Sequence, residues 1–330
     1  MTEKIRIICR EPEVYCLPIP LPDSPLRSLN AYLIRSQGES LLVDTGFRHP
    51  ICICAMEEVL RILNVDRGRM RIFITHCHTD HMGSVPDIMR PENQVLLSET
   101  EYRMCAGHLE GDYWEQGERR FLSEGFPMAE LEQVRQVNPS RIYMPKRMFP
   151  AGFVKDGERC RIGAWEWVFM DTRGHSPGHM SLYLPEKEIL ILGDHVLFDI
   201  SPNITNWIGV EDSLGDYLNS LDRISALSVS IPLPGHRGAG RGLRERIAEL
   251  KRHHCIRLEQ MLAEIRQKPG MTAYQIASGA QWRMQGKSWE DAPKSQKWFA
   301  VGETIAHLDY LRLRGAVSRK MEEGRMHYEI

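Results

Sequence analysis

The sequence predicts an α/β protein, with strands and helices alternating around a large core over residues 1–240 and a smaller helical module after it. Three observations carry this. Short apolar, strand-like runs recur along the first part of the 330-residue chain, among them Met70–Thr75 (MRIFIT), the SLLV before Asp44 and the EILIL before Gly193. Between them lie segments of helical period, such as Pro50–Asn64, where Ile51, Met56, Val59, Leu60 and Leu63 fall near one face. Beyond residue 240 helical runs dominate, and the chain closes on two brief strand-like stretches.

Residues 1 to about 98 read as three strands, a helix, a strand, a His-rich turn, a helix and a strand. Asn30–Arg35 and Glu39–Asp44 flank Gln37-Gly38, the signature of a hairpin. Gly83 and the run Val85–Met89 follow the His-rich turn, which therefore joins a strand to a helix. From Glu99 to about Pro150 the chain becomes charged and studded with aromatics and methionines, and reads as an insertion of two or three helices ending in a loop. Tyr113 and Trp114, adjacent aromatics in a polar helix, are its candidates for a wall over a substrate. Strands resume near Phe153, with Arg159–Ile162, Trp165–Thr172, Met180–Leu184 and Glu188–Gly193 forming a meander. A helix over Leu214–Leu227 and a last strand over Val229–Pro234 complete this part. A long helix from Arg241 to Arg266 ends at Pro269-Gly270. A short helix follows, with Thr272 as N-cap, then a helix over Ser295–Arg314, Gly315, and two strand-like runs split by Glu323-Gly324. The domain boundary is placed between residues 240 and 241, the insertion belonging to the first domain.

Hydrophobic residues make up 42% and charged residues 26% of the chain, and the formal net charge is -2, so no overall electrostatic drive towards nucleic acid or membrane exists. No apolar stretch approaches the roughly 20 residues that span a bilayer. The N-terminal stretch lacks a signal-peptide core, which points to the cytoplasm. Eight scattered cysteines form no CxxC pair and read as reduced thiols.

The chemistry is concentrated in Thr75-His76-Cys77-His78-Thr79-Asp80-His81. Imidazoles and carboxylates at this density are ligands for zinc, manganese or iron. Partners recur after other strand-like runs: Asp44 ends SLLVDTG, His175 lies in DTRGHSPGH, Asp194 ends EILILGD and His236 ends SIPLPGH. Strand ends are where open α/β folds place their sites. Cys77 lies between two of the ligands, but strand alternation turns its side chain away from them.

HxHxDH followed by a later His, Asp and His resembles the metallo-β-lactamase superfamily, over roughly Leu29 to Gly238. The resemblance implies an αββα sandwich with two divalent metal ions at one edge, zinc before iron or manganese. His76, His78 and His175 would hold the first metal, and Asp80, His81 and His236 the second. Asp194 would bridge them, and Asp80 and Asp194 would be the catalytic carboxylates. Asp44 would orient a ligand through a hydrogen bond. In HSPGH the family position favours His175 over His179, which leaves His179 a supporting role. Helix, helix and hairpin after the core resemble the β-lactamase-like-2 branch, whose tail is a winged-helix-like domain.

Two metals can share a hydroxide whose pKa approaches ~7, which would attack a small thioester, ester or lactone. The rivals are an endoribonuclease acting on single-stranded RNA, a mono-iron sulfur dioxygenase, and a metabolite sensor. His78 stands where flavo-diiron enzymes carry glutamate. His236 is followed by Arg-Gly-Ala, unlike glyoxalase II, and Ser201–Trp207 does not resemble that enzyme's glutathione-binding stretch. Residues 251–330 hold 14 Lys/Arg against 9 Asp/Glu, with Arg312, Arg314, Arg319, Lys320 and Arg325 near the wing, a mild excess that reads as solvated surface. Expected partners are a small-molecule substrate, with nucleic acid not favoured, no membrane, and a homodimer left open.

Overall fold

The computed structural model describes residues 5–239, 242–284 and 286–330. Its first sheet has seven strands in chain order: β1 (Arg6–Arg10), β2 (Glu13–Pro20), β3 (Ser28–Ser36), β4 (Glu39–Val43), β5 (Met70–Phe73), β6 (Val95–Leu97) and β7 (Gly152–Phe153). The first four are antiparallel, and β4 to β7 run parallel. Helix α1 (Pro50–Ile62) makes the crossover from β4 to β5, while two short helices, α2 (Thr79–Met82) and α3 (Val85–Ile88), lie between β5 and β6. The N-terminal stretch forms two strands where the sequence pattern predicts one, because the chain reverses at Glu11-Pro12 and pairs with itself.

Between β6 and β7 lies the insertion. It contains four helices, one more than the upper expectation: α4 (Glu99–Leu109), α5 (Tyr113–Ser123), α6 (Met128–Val137) and α7 (Pro139–Ile142). The added helix is a single turn, opened by Pro139 and capped by the Asn138 side chain, too brief to leave a periodic pattern.

A second sheet is ordered β12-β11-β10-β9-β8, from β8 (Arg159–Ile162), β9 (Trp165–Asp171), β10 (Met180–Leu184), β11 (Ile189–Gly193) and β12 (Ile231–Pro234). Helix α8 (Ser213–Ser225) connects β11 to β12, which pair in parallel. The strand period of two sorts the side chains. Leu41, Val43 and Phe73 turn inward to meet Trp167, Phe169 and Leu182 of the other sheet. Leu42 and Ile72 turn outward onto Met56, Val59 and Leu60 of α1. The outer face of the second sheet, including Leu190 and Leu192, is covered by α8 and by the first turns of α9 (Leu243–Gln267). Helix, sheet, sheet and helix therefore stack in four layers.

The C-terminal part adds α10 (Ala273–Gly279), α11 (Lys294–Leu313) and the hairpin β13 (Ser318–Glu322) and β14 (Arg325–Glu329). Thr272 caps α10 in a reciprocal box with Gln275. The boundary expected at 240/241 and the helix start expected at Arg241 fall outside the described residues. The core of this part is shared with the insertion: Phe121, Phe126, Leu131 and Val134 pack with Met261, Ile305, Leu308 and Tyr328.

Candidate metal centre

Four strand ends meet at one edge of the sandwich. Asp44 follows β4, the His76–His81 turn follows β5, Asp194 follows β11 and His236 follows β12. Their closeness needs a small residue at 235. The Gly235 N–H donates to the Gly193 carbonyl at 2.7 Å. A Cβ on Gly235 would stand 2.4 Å from Asp194 Oδ1 and 2.9 Å from His81 Cε1.

The residues form two triads. In the first, His78 Nδ1 lies 2.9 Å from His76 Nε2 and 3.0 Å from His175 Nε2. In the second, His236 Nε2 lies 3.2 Å from Asp80 Oδ2, with His81 completing a group whose ligand atoms fall within 4.8 Å of one another. Asp194 stands between the triads. Its Oδ1 is 3.4 Å from His81 Nε2, and its Oδ2 is 3.5 Å from His236 Nε2 and 3.8 Å from His175 Nε2.

The outward nitrogens fix the tautomers. His175 Nδ1 donates to the Asn203 carbonyl at 2.9 Å, and His236 Nδ1 to the Ser28 carbonyl at 2.8 Å. His81 Nδ1 lies 2.7 Å from Asp44 Oδ2, and His76 Nδ1 lies 3.0 Å from Thr75 Oγ1. Because a carbonyl only accepts, the inward Nε2 of neutral His175 and His236 presents a lone pair. His81 Nε2, His236 Nε2 and Asp194 Oδ1 are buried without a hydrogen-bond partner. Converging buried lone pairs and carboxylate oxygens repel one another until a cation or protons stand between them. The donor set therefore fits divalent metal.

The protonation states divide in the same way. Burial, then the neighbouring histidines His81 and His78, push the His76 pKa well down; burial and His175 lower His78 to about 3. Those imidazoles are neutral, the ligand form. Burial would lower His236 too, but Asp194 and Asp80 override it and raise His236 to about 10. His81 is raised likewise, with burial overcome by Asp44 and Asp194. Asp44, Asp80 and Asp194 thus favour positive charge at the second triad, the charge that a divalent metal would supply.

Two other buried carboxylates brace the edge. Asp44, with a φ of 63°, accepts from the Thr75 N–H at 2.9 Å and sits against His81. Glu101 of α4 accepts from the Cys77 N–H at 2.6 Å, the Ser176 hydroxyl at 2.8 Å and the Gly178 N–H at 2.6 Å. Sequence reasoning does not single out Glu101, since a glutamate in ETEYR looks like part of a solvated helix face. His179 lies beside the triads with both ring nitrogens engaged, Nδ1 2.8 Å from Thr172 Oγ1 and Nε2 accepting from the Asp194 N–H at 3.2 Å. Cys77 packs against the apolar layer under α1, away from the ligand atoms, and burial pushes its thiol pKa well up.

Tyr113 and Trp114 are placed elsewhere. Both rings pack on His108, and Arg141 lies over Trp114 at 4.1 Å. The aromatic beside a cluster histidine is Trp207, whose ring lies 5.5 Å from that of His78 at 34° and whose Nε1 donates to the His175 carbonyl at 3.2 Å. A tryptophan at the end of an irregular stretch carries no periodic signal, so its position emerges only from the fold.

The metallo-beta-lactamase superfamily profile matches residues 25–236. The chain belongs to this superfamily. Its members are metal-dependent hydrolases, and so is this protein. A second profile, the metallo-beta-lactamase-like C-terminal domain, matches residues 293–329, which span α11 and the hairpin. A metallo-beta-lactamase family protein of Thermus thermophilus, of known crystal structure, is 32% identical with a TM-score of 0.77, and the match covers 96% of this chain and 98% of that one. The lactamase-like protein nscB of Aspergillus fumigatus is 26% identical over 89% of this chain and 86% of its own length. The beta-lactamase-like protein 2 homolog of Caenorhabditis elegans is 22% identical over 77% of this chain and 70% of its own. For two further fungal lactamase-like proteins the match spans 66% and 60% of their length. No helix among the described residues of this metallo-β-lactamase superfamily protein is long and apolar enough to cross a membrane.

Proposed function

We propose that the protein is a dinuclear hydrolase of small carbonyl compounds, a thioester, ester or lactone, with zinc the favoured metal. The observation that carries this reading is the pair of triads joined by Asp194, with the unpartnered atoms His81 Nε2, His236 Nε2 and Asp194 Oδ1 facing inward. His76, His78 and His175 would hold one ion and Asp80, His81 and His236 the other, with Asp194 shared. Two such ions, when bound, supply a nucleophile from water near neutral pH and polarise the scissile carbonyl.

The chain's own groups do the rest. Asp80 and Asp194 offset the charge of the dications. The carbonyls of Asn203 and Ser28 hold His175 and His236 in the ligating tautomer. Trp207, half-exposed beside His78, offers an apolar face to an acyl group. The C-terminal helices and hairpin are read as a winged-helix-like module that serves packing. Four of the five cations near the wing pair within the molecule: Arg319 and Arg312 with Asp309, Lys320 with Glu329 and Arg314 with Asp212. That supports a small-molecule substrate over RNA, since cations already paired have less to offer phosphates.

The test is hydrolysis of a panel of thioesters, esters and lactones by the zinc-loaded protein. Wild type and the Arg319→Glu/Lys320→Glu double variant are expected to turn over a common substrate at equal rates, with two metal ions per chain. Metal-dependent cleavage of single-stranded RNA that vanishes in the double variant, with no turnover of any carbonyl compound, would reverse the reading. One ion per chain at saturating metal would remove the dinuclear mechanism.

A further inference from the structure

Glu101 reaches the metal edge from outside the four strand ends, and its partners have a pattern. It lies in the first turn of α4, where the Ser98 hydroxyl caps its N–H at 3.2 Å and donates to the Gly178 carbonyl at 2.7 Å. The Glu101 side chain is wholly buried. Oε2 accepts from the N–H of Cys77, the residue between His76 and His78. Oε1 accepts from the Ser176 hydroxyl and the Gly178 N–H, in the loop that begins with His175. All three bonds end on backbone or side chains that flank first-triad ligands. None ends on Asp80, His81 or His236. Direct bracing of the second triad comes from Asp44 through His81, and from Ser28 through His236.

We propose that Glu101 is a positioning residue for one metal subsite: it ties the His76–His78 segment to the His175 loop and so sets the affinity of the first triad, independently of the second. The proposal rests on the reading of this edge as a two-metal centre. The two loops come from different sheets, one after β5 and the other after β9. A backbone bond from the Met180 N–H to the Thr75 carbonyl at 2.9 Å joins them at one point, and the Glu101 carboxylate joins them at a second, through Cys77 on one side and Ser176 and Gly178 on the other. Charge-assisted hydrogen bonds to buried donors are short and strong. Removing the carboxylate leaves three buried donors without an acceptor, and the cheapest relief is for the loops to part. His78 Nδ1 and His175 Nε2, 3.0 Å apart, would then separate, while the second triad keeps its own supports. The buried negative charge also favours a cation in the first triad, a contribution that glutamine cannot supply.

The test uses the full chain as Glu101→Gln, Glu101→Ala and the milder Ser176→Ala, which removes one of the three bonds. Zn²⁺ affinity is measured by chelator competition, and site occupancy by the visible spectrum of the Co²⁺-substituted protein. His78→Ala and His236→Ala provide the signatures of an emptied first or second triad. Expected is a fall of about 10–100-fold in affinity confined to the first triad in both Glu101 variants, and a smaller fall at the same triad in Ser176→Ala. Thermal unfolding of the metal-free forms separates this selective loss from general destabilisation. Equal weakening of both sites, or wild-type affinity at both, would overturn the proposal. If the Glu101 variants do not fold, Ser176→Ala decides alone, by first-triad loss or its absence. A wild-type protein that binds neither ion would instead bring down the metal-centre reading itself, an outcome distinguishable from the others.

Discussion

Asp194 and His179 touch, the N–H of the one donating to Nε2 of the other at 3.2 Å, yet their loss should have unequal consequences. Among the described residues Asp194 is the one whose two oxygens address both triads, so Asp194→Ala would leave the two proposed cation sites facing each other without a shared anion. His179 has its nitrogens committed to Thr172 and to the Asp194 backbone, and its removal disturbs the site only through them. We expect His179→Ala to cost about 10–100-fold in kcat/KM or metal affinity, and Asp194→Ala clearly more. Metal content and kcat/KM measured on both variants settle this. A His179→Ala protein stripped of metal beside a His175→Ala protein that keeps it would exchange their roles. The candidate ligand residues were legible in the sequence because Asp44, His175, Asp194 and His236 each follow an apolar run close to a glycine, and His76, His78, Asp80 and His81 share one short motif. Glu101 was not legible, because its hydrogen-bond partners come from loops 24 to 77 positions away and nothing local distinguishes it from a solvated glutamate.

The insertion divides its helices between two neighbours. Helix α4 brings Glu101 to the ligand loops, and α7 meets them where the Thr79 hydroxyl approaches the Pro139 carbonyl at 3.5 Å. Helices α5 and α6 turn the other way. Phe121 stacks on Trp298 of α11 with ring centroids 3.4 Å apart, and Arg120 pairs with Asp309. The aromatics that marked this segment are thus largely packing, which the sequence pattern leaves undecided: amphipathic helices show that a face is buried, not what covers it. The strand meander and the tail helices, by contrast, follow from period and caps almost to the residue. We propose that the segment after β11, not Tyr113 and Trp114, lies against a bound substrate. There Trp207 lies against His78, and a Cβ on Gly302 of α11 would come within 2.3 Å of Thr205 Oγ1, so α11 backs the loop that carries Trp207 and Asn203. Trp207→Ala should raise KM and change the preference among acyl groups, whereas Trp114→Ala should leave both as they are. Trp207→Phe keeps an aromatic face but loses the N–H bond to the His175 carbonyl, and so separates the two contributions. The readout is kcat and KM on an acyl-chain series. A shifted preference in Trp114→Ala alone would return the wall to the insertion.

At the scale of the whole molecule the C-terminal part is fastened by buried carboxyls, and their protonation gives the joint a pH dependence. Glu124, at the end of α5, receives the Tyr328 hydroxyl of β14 at 3.0 and 3.1 Å and faces Arg120 at 3.0 Å. Glu303 of α11 faces Arg257 of α9 at 3.4 Å. Burial raises Glu124 to about 7, with Arg120 pulling the other way. Burial raises Glu303 to about 7 as well, opposed by Arg257. The sign follows from proton uptake. The unfolded chain releases these protons near the ordinary glutamate value of about 4.3, while the folded protein holds them until about 7. Between those values the folded state binds more protons, so stability falls as pH rises through the window and levels off above it. The metal-centre histidines titrate too, and His236, raised to about 10, also loses its contribution as pH rises. The comparison must therefore be made at fixed metal loading, between wild type and Glu124→Gln/Glu303→Gln. We expect the thermal midpoint of wild type to decline from about pH 5 to pH 7, and the double variant to show a shallower decline over the same interval. Identical slopes would mean that both carboxyls are ionised in the folded state throughout, with Arg120 and Tyr328 outweighing burial at the joint between the insertion and the C-terminal part, and Arg257 outweighing it between α9 and α11.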